Sequence, residues 1–151
     1  MSDSRATRVS MQEAPRWEHF PHDADLGVRG IGRTREQAFE QAALAMTAAI
    51  TDPALIQRTR CIDIEVHSTD AEILLTEWLN AIVFEMATQH LLFSRFEVAI
   101  EDTRLTAKAE GEPVEVARHH PAVEVKGATF TELKVEHRPD GSWIAQCVVD
   151  V

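Results

Sequence analysis

The sequence predicts an α+β fold in which two amphipathic helices pack on a mostly antiparallel β-sheet. Two segments space their apolar residues as a helix does and carry helix start signals. Most of the remaining chain alternates apolar and polar residues, which is typical of half-buried strands. Because helices and strands do not alternate regularly, the pattern favours the α+β class over a parallel α/β arrangement.

Both predicted helices begin at a capping box, in which a side chain at each end of the first turn bonds a free backbone N–H. The first box pairs Thr34 with Gln37, and that helix ends near Thr51 because Pro53 opposes its continuation. The second helix is predicted to start at Thr69, with Glu72 completing the box, and to continue to about residue 90. Its broad apolar stripe indicates a helix that faces the core.

Alternating residues and turn signals define the predicted strands. A turn at residues 102–103 separates two of them, residues 111–121 form a loop, and Arg138-Pro139-Asp140-Gly141 is a strong hairpin turn. Strands are predicted at residues 26–31, 62–66, 96–100, 105–109, 123–135 and 143–149.

Length and charge limit the organisation of the chain and its partners. The 151 residues suit one domain, which we place at residues 16–151 after a flexible N-terminal tail at residues 1–15. A net charge of −10 repels free nucleic acid, so direct binding to it is not expected, and it favours a basic protein partner. Cys61 and Cys147 form no CxxC pair, and no apolar segment resembles a signal peptide or a membrane span. These features predict a reduced, cytoplasmic protein.

Two acidic segments are candidates for chemistry. In the first, His22-Asp23-Ala24-Asp25, an extended backbone would direct Asp23 and Asp25 to the same side, whereas a turn would not. In the second, Asp150 adjoins the terminal carboxylate of Val151. Carboxylates are hard ligands suited to Mg²⁺, Ca²⁺ or Mn²⁺. The alternatives are a solvated loop and a frayed chain end.

Basic side chains supply further candidates. His22 adjoins the acidic pair, and Lys126 lies in an apolar run where it either extends to solvent or reaches an acidic pocket or a phosphate. His119 and His120 either hold an anion or are exposed. No GxSxG motif, phosphate-binding loop or paired CxxC is present. A metal-dependent hydrolase or phosphotransferase using His22, Asp23 and Asp25 remains an alternative.

The order of several motifs resembles the archease family over residues 17–151. The resemblance rests on Trp17-Glu18-His19-Phe20, His22-Asp23-Ala24-Asp25-Leu26-Gly27-Val28-Arg29, Thr34 with Glu36-Gln37-Ala38-Phe39-Glu40, Leu91-Leu92-Phe93, Ala107-Lys108-Ala109-Glu110-Gly111-Glu112, Glu124-Val125-Lys126 with Thr129, and the ending from Asp140-Gly141-Ser142-Trp143 to Asp150-Val151.

This resemblance implies a protein cofactor rather than an enzyme. Archeases assist RtcB-type RNA ligases, which join a 3′-phosphate or 2′,3′-cyclic phosphate end to a 5′-hydroxyl end in tRNA splicing and RNA repair. They promote guanylylation of the ligase and its multiple turnover. Carried over by position, the divalent-metal ligands are Asp25, Asp150 and the terminal carboxylate of Val151, and Lys126 has a role in ligase activation. A chaperone-like interaction module is a further alternative.

Two positions depart from the family pattern. Asp23 stands where the family usually has threonine, which adds a negative charge beside the implied metal ligands. Thr131 stands where many members have histidine, so a role for that histidine does not carry over to this chain. His22 and Asp23 are nevertheless retained as candidates for ligase activation because they adjoin Asp25.

Overall fold

A computed structural model describes residues 14–151 and confirms the α+β class. The predicted tail at residues 1–15 falls mostly on residues 1–13, outside the described part. The helices in residues 14–151 are α1 (Arg35–Ile50), α2 (Ala71–Gln89) and the single turn α3 (Val116–His119), with a 3-10 turn at Pro53–Leu55. The strands are β1 (Arg16–His22), β2 (Asp25–Gly32), β3 (Arg60–His67), β4 (Leu91–Glu101), β5 (Arg104–Pro113), β6 (Gly127–Ala128), β7 (Lys134–His137) and β8 (Trp143–Asp150).

These strands divide between two antiparallel sheets, whereas the sequence analysis expected one. The larger sheet has the order β1-β2-β8-β6, and β7 also pairs with β8. The smaller sheet has the order β3-β5-β4. Strand β1, which the sequence analysis did not predict, pairs along its full length with β2. The larger sheet therefore has β1 at its edge and the last strand, β8, in its interior beside β2.

Helix α1 lies directly against the larger sheet. Thr34 caps it as predicted, since the Gln37 N–H donates to Thr34 Oγ1 over 3.1 Å, and the helix gives way to extended backbone at Thr51. A side chain at Gly30 of β2 would overlap the α1 backbone at Ala38 and Ala42. Alanines on the helix and glycines on the strand thus allow a close backbone approach.

Helix α2 packs on the smaller sheet and on α1. Trp78 is fully buried and its indole N–H donates to the Phe39 carbonyl of α1 over 3.0 Å. The predicted start at Thr69 is wrong by one residue. Asp70 is the cap, because its Oδ1 accepts from the N–H groups of Glu72 and Ile73. Neither long helix of residues 14–151 is apolar enough over sufficient length to cross a membrane.

The turns between strands were predicted more accurately than the extents of the strands and loops. The turns at residues 102–103 and 138–141 form hairpins as predicted, and Gly141 has a φ of 92°. The predicted strand at 123–135 is wrong in extent, since only residues 127–128 and 134–137 pair with β8. The predicted loop at 111–121 instead begins as the end of β5 and includes α3.

Candidate functional site

The connection between β1 and β2 turns sharply, which settles the orientation of the first acidic segment. Asp23 has a φ of 49°, in the left-handed region, and its side chain is 94% exposed. Asp25, by contrast, opens β2 and is half-buried. Because the backbone turns between them, the two carboxylates do not share the side of an extended strand. The expectation based on an extended backbone therefore does not hold.

Sheet pairing brings Asp25 to the end of the chain. Leu26 pairs with Val149, and the same register continued by one residue sets Asp25 opposite Asp150. The N–H of Val151 lies 3.4 Å from Asp25 Oδ1, within hydrogen-bonding range. The first acidic motif and the C-terminus, 126 residues apart in sequence, are thus adjacent in space.

Strand β6 adds Lys126 to the other side of the C-terminus. Gly127 pairs with Asp150, and the Lys126 N–H donates to the Asp150 carbonyl over 2.7 Å. This backbone contact places Lys126 alongside the last two residues. Its side chain is exposed and makes no ion pair with residues 14–151. A cation at this position is available to an incoming anionic group.

We call Asp25, Asp150 and the terminal carboxylate of Val151 the acidic tip. All its charged groups are hard oxygen donors of the kind that bind Ca²⁺, Mg²⁺ and Mn²⁺. Within residues 14–151, no group of three His, Cys, Asp or Glu residues could hold an ion. The two aspartates are therefore insufficient by themselves, and the chain terminus would have to supply the third ligand. If the Val151 carboxylate is the third ligand, the donor chemistry fits a hard divalent cation.

The remaining predicted residues lie around the acidic tip. His22 ends β1 opposite Asp25, is half-buried, and its Nδ1 is 4.0 Å from Asp23 Oδ2. Residues facing each other across antiparallel strands project from one face, so His22 and Asp25 share a face. Thr131 is exposed and its carbonyl accepts from the Val148 N–H over 3.0 Å. Thr131 therefore lies beside Val148, two residues before Asp150 on β8.

A polar cluster across three strands supports the sheet that ends at the acidic tip. Arg29 of β2 donates to Glu18 of β1 and to Gln146 of β8, each over 2.8 Å. Its guanidinium also lies 4.8 Å from the centre of the Phe20 ring. The bond from Arg29 lowers the pKa of the Glu18 carboxyl. This cluster fixes the relative positions of the strands that carry His22, Asp25 and Asp150.

A buried ionic cluster at the C-terminal end of β5, in the smaller sheet, was not predicted. Glu112 is 5% exposed and accepts from Arg118 Nη2 over 2.9 Å, and from Arg118 Nη1 and the Gln57 N–H over 2.8 Å. These bonds, that from Arg118 above all, lower the pKa of Glu112 to about 2. The available sequence signal was the spacing of six and seven residues from Glu112 to Arg118 and His119.

His119 belongs to this cluster, so it is not exposed, and the anion that it contacts is the Glu112 carboxylate of the same chain. It is 1% exposed, and its Nδ1 accepts from the Glu115 N–H over 2.9 Å. The proton is consequently on Nε2, which donates to Glu112 over 2.9 Å. The His119 carbonyl also accepts from the Thr51 hydroxyl. His120 remains exposed.

The fold and the site define a class: a small α+β protein in which Asp25 of β2 lies beside Asp150 and Val151 at the end of the last strand of the larger sheet. Comparison with known proteins gives the family. The Archease protein family model matches residues 17–151, so the chain belongs to the archease family.

Curated relatives match over nearly their whole length. Protein archease of Pyrococcus furiosus is 41% identical over 139 residues, 89% of this chain and 98% of the relative. Protein archease of Pyrococcus abyssi is 39% identical over 140 residues, 90% of this chain and 99% of the relative.

Solved structures share the fold. The solution structure of Methanobacterium thermoautotrophicum protein 1598 has a TM-score of 0.79 and 34% identity, covering 89% of this chain and 98% of that one. A Thermotoga maritima crystal structure, described as an archease and possible chaperone, has a TM-score of 0.58 and 18% identity. It covers 89% of this chain and 96% of its own, and at that identity it supports the fold alone.

Proposed function

We propose that this protein is a cytoplasmic, non-catalytic activator of an RtcB-type RNA ligase in tRNA splicing and RNA repair. It acts by promoting guanylylation and multiple turnover of the ligase. The observation that supports this most is the contact between Asp25 and the Val151 N–H, because it joins the two acidic segments at one end of the larger sheet. Family membership supplies the choice of partner.

Charge and shape give a physical account of this role. An enzyme that binds RNA needs a basic cleft to hold phosphates, and a protein with a net charge of −10 is attracted to such a cleft. The acidic tip lies at the end of the larger sheet where β2 and β8 pair, with the Asp150 side chain exposed to a partner. When bound there, a divalent cation supplies positive charge that orients and neutralises phosphate oxygens. Asp25, Asp150 and the Val151 carboxylate would hold it, and the exposed Lys126 side chain would contribute a further positive charge beside it.

A turnover assay tests this proposal. The ligase of the same organism is mixed with GTP, a divalent cation and RNA carrying 3′-phosphate and 5′-hydroxyl ends. The protein at about one-tenth of the ligase concentration should raise the number of ligation events per ligase, while the protein alone should ligate nothing. Asp25→Ala and Asp150→Ala should abolish the stimulation, with unchanged melting temperatures showing that the fold is intact.

Asp102→Asn is the matched control for those variants. Asparagine also tolerates the positive φ of 53° at this position, and the side chain is exposed in the turn between β4 and β5 of the smaller sheet, apart from the acidic tip. This variant should retain most of the stimulation. Full stimulation by both Asp25→Ala and Asp150→Ala would refute the role of the acidic tip, and a wild-type protein that does not stimulate the ligase would refute the activator proposal.

A chaperone-like interaction module is the second candidate, because the Thermotoga structure is described as a possible chaperone. Such a protein would bind many unfolded clients, and the binding would not depend on Asp150. Suppression of the aggregation of several unrelated unfolded proteins, equal in the wild type and Asp150→Ala, would favour this candidate. Stimulation confined to the ligase and lost in Asp150→Ala would favour the activator.

A further inference from the structure

An apolar groove of about 410 Å³ lies between the C-terminal half of α2 and the segment at residues 121–125. Its lining is apolar except for His90 and Glu124. The volume falls within the roughly 300–1,000 Å³ typical of sites that take up a ligand. By contrast, the cavity of about 540 Å³ on the smaller sheet is lined partly by charged residues such as Asp63, Glu97 and Lys108. The groove is thus suited to apolar side chains.

The residues at the groove surface are suited to binding a protein segment. Val123 is 39% exposed although its neighbour Val125 is buried, so it forms an apolar lip. Met86 is half-buried in the wall, and a flexible thioether side chain adapts to the shape of an incoming group. Exposed apolar residues at a concave surface are characteristic of interaction sites.

The groove is continuous with the acidic tip. Val125 lines the groove, and the next residue, Lys126, donates its N–H to the Asp150 carbonyl. The segment at 121–125 therefore has the groove on one side and leads directly to the tip. It is anchored at its start as well, since the Ala122 N–H donates to the Ile50 carbonyl over 2.8 Å. A partner that contacts the tip lies within reach of the groove.

The charge at the rim defines the chemistry of the occupant. Glu124 is exposed between the groove and the tip, and the acidic tip itself follows. We propose that the groove docks an apolar segment of the same ligase, flanked by lysine or arginine, next to the cleft that receives the tip. This inference rests on the proposed function. Apolar contacts in the groove supply affinity, whereas the tip supplies the activating chemistry.

Binding measurements with a matched pair of variants test the groove. Val123→Gln places a neutral polar side chain at the lip without changing the charge near the tip. Leu55→Gln is the control, because Leu55 is 40% exposed and lies on the 3-10 turn, outside the groove lining. Calorimetric titration into the purified ligase should show a dissociation constant about tenfold higher for Val123→Gln and unchanged for Leu55→Gln. Met86→Gln should resemble Val123→Gln.

Asp25→Ala, assayed in parallel, separates this proposal from the one on which it rests. Loss of stimulation in Asp25→Ala together with wild-type affinity in Val123→Gln and Met86→Gln would overturn the groove proposal and leave the activator role standing. A wild-type protein that neither binds nor stimulates the ligase would overturn both. Weaker binding by Leu55→Gln equal to that of Val123→Gln would also overturn the groove proposal, since the effect would then not be local.

Discussion

Glu112 shows how a single buried charge can be tolerated. Its carboxylate is neutralised by Arg118 and receives further bonds from the Gln57 N–H and from His119. A carboxylate buried without such partners would be strongly destabilising. The cluster joins the end of β5 to α3 and to the segment after the 3-10 turn. It therefore fixes the chain just before the segment at residues 121–125, which leads to Lys126.

We predict that Glu112→Gln lowers stability in a pH-dependent way. The folded pKa of about 2 lies below the ordinary value of 4.5, so ionised Glu112 stabilises the fold fully above pH 4.5. This contribution is lost as the pH falls towards 2. The difference in melting temperature between wild type and Glu112→Gln should be largest above pH 5 and shrink through that window.

Glu65→Gln is the control for the Glu112 experiment. Glu65 is also an ion-paired carboxylate with a lowered pKa, but its pair with Arg104 is exposed on the smaller sheet. Surface pairs contribute little to stability, so this variant should melt close to the wild type at every pH. A difference for Glu112→Gln that did not vary between pH 2 and pH 6 would contradict the assigned ionisation.

Single residues were the least predictable level from sequence. The orientation of Asp23 depended on a left-handed turn, and any residue other than glycine gives only a weak signal for that conformation. The burial of His119 depended on Glu112, seven positions earlier in a segment interpreted as a loop. Spacing of this kind acquires meaning only after the fold has brought β5 and α3 together.

At the scale of elements, Asp70 and Thr69 at the start of α2 differ in their contribution to stability, because only Asp70 caps the helix. We predict that Asp70→Ala lowers the free energy of unfolding by about 1 kcal/mol, because two N–H groups lose their acceptor. Thr69→Ala should change it by less than about 0.5 kcal/mol, since the Thr69 side chain does not cap the helix. Urea denaturation measures both values. The reverse order would place the cap at Thr69.

The contact between α1 and β2 depends on the absence of side chains. We predict that Gly30→Ala lowers the free energy of unfolding by at least about 1–3 kcal/mol, because the added methyl would meet the backbone at Ala38 and Ala42, which cannot move alone. Gly27→Ala should cost less, since the three atoms nearest its methyl all belong to the Phe20 ring, a side chain that can rotate away. Denaturation of both variants provides the measurement. A loss for Gly30→Ala as small as that for Gly27→Ala would show that the helix can shift away from the sheet.

Elements with a strong local signal were predicted well. The Thr34 cap, the strands around residues 62–66 and 143–149, and the turn before Gly141 each follow from residues close in sequence. The extent of the strand predicted at 123–135 did not follow from local sequence, because it depends on which of these residues pair with β8. The Ala128 N–H bonds Asn80 of α2, and Glu132 has a φ of 54°, so the chain leaves the sheet between β6 and β7.

At the scale of the molecule, the candidate site exists only because the fold brings distant segments together. Composition and spacing identified each acidic segment, but neither could show that Asp25 and Val151 are neighbours. The family resemblance implied this, and the register of β2 with β8 gives the physical reason. The acidic tip thus depends on the pairing of the second and last strands, so that ligand binding and folding are linked.

Because binding and folding are linked, we predict that a divalent cation bound at the acidic tip raises the melting temperature of the protein. A cation that binds the tip of the folded protein stabilises it by about 2.7 kcal/mol at a concentration 100 times its dissociation constant, which raises the melting temperature by about 5–10 °C. Melting curves in Ca²⁺, Mg²⁺ and Mn²⁺ would measure the shift. Asp25→Asn should abolish it, and a short extension after Val151 should reduce it sharply, because an amide replaces the terminal carboxylate.

Glu124→Gln is the control for this measurement, because it removes an exposed carboxylate near the tip without removing one of its three oxygen groups. It should keep the full shift in melting temperature. An equal shift in Asp25→Asn would place the cation elsewhere on this acidic protein. A full shift in the extended chain would exclude the Val151 carboxylate as a ligand. Since no three His, Cys, Asp or Glu residues within residues 14–151 could hold an ion, that result would leave the tip with too few protein ligands to account for the binding.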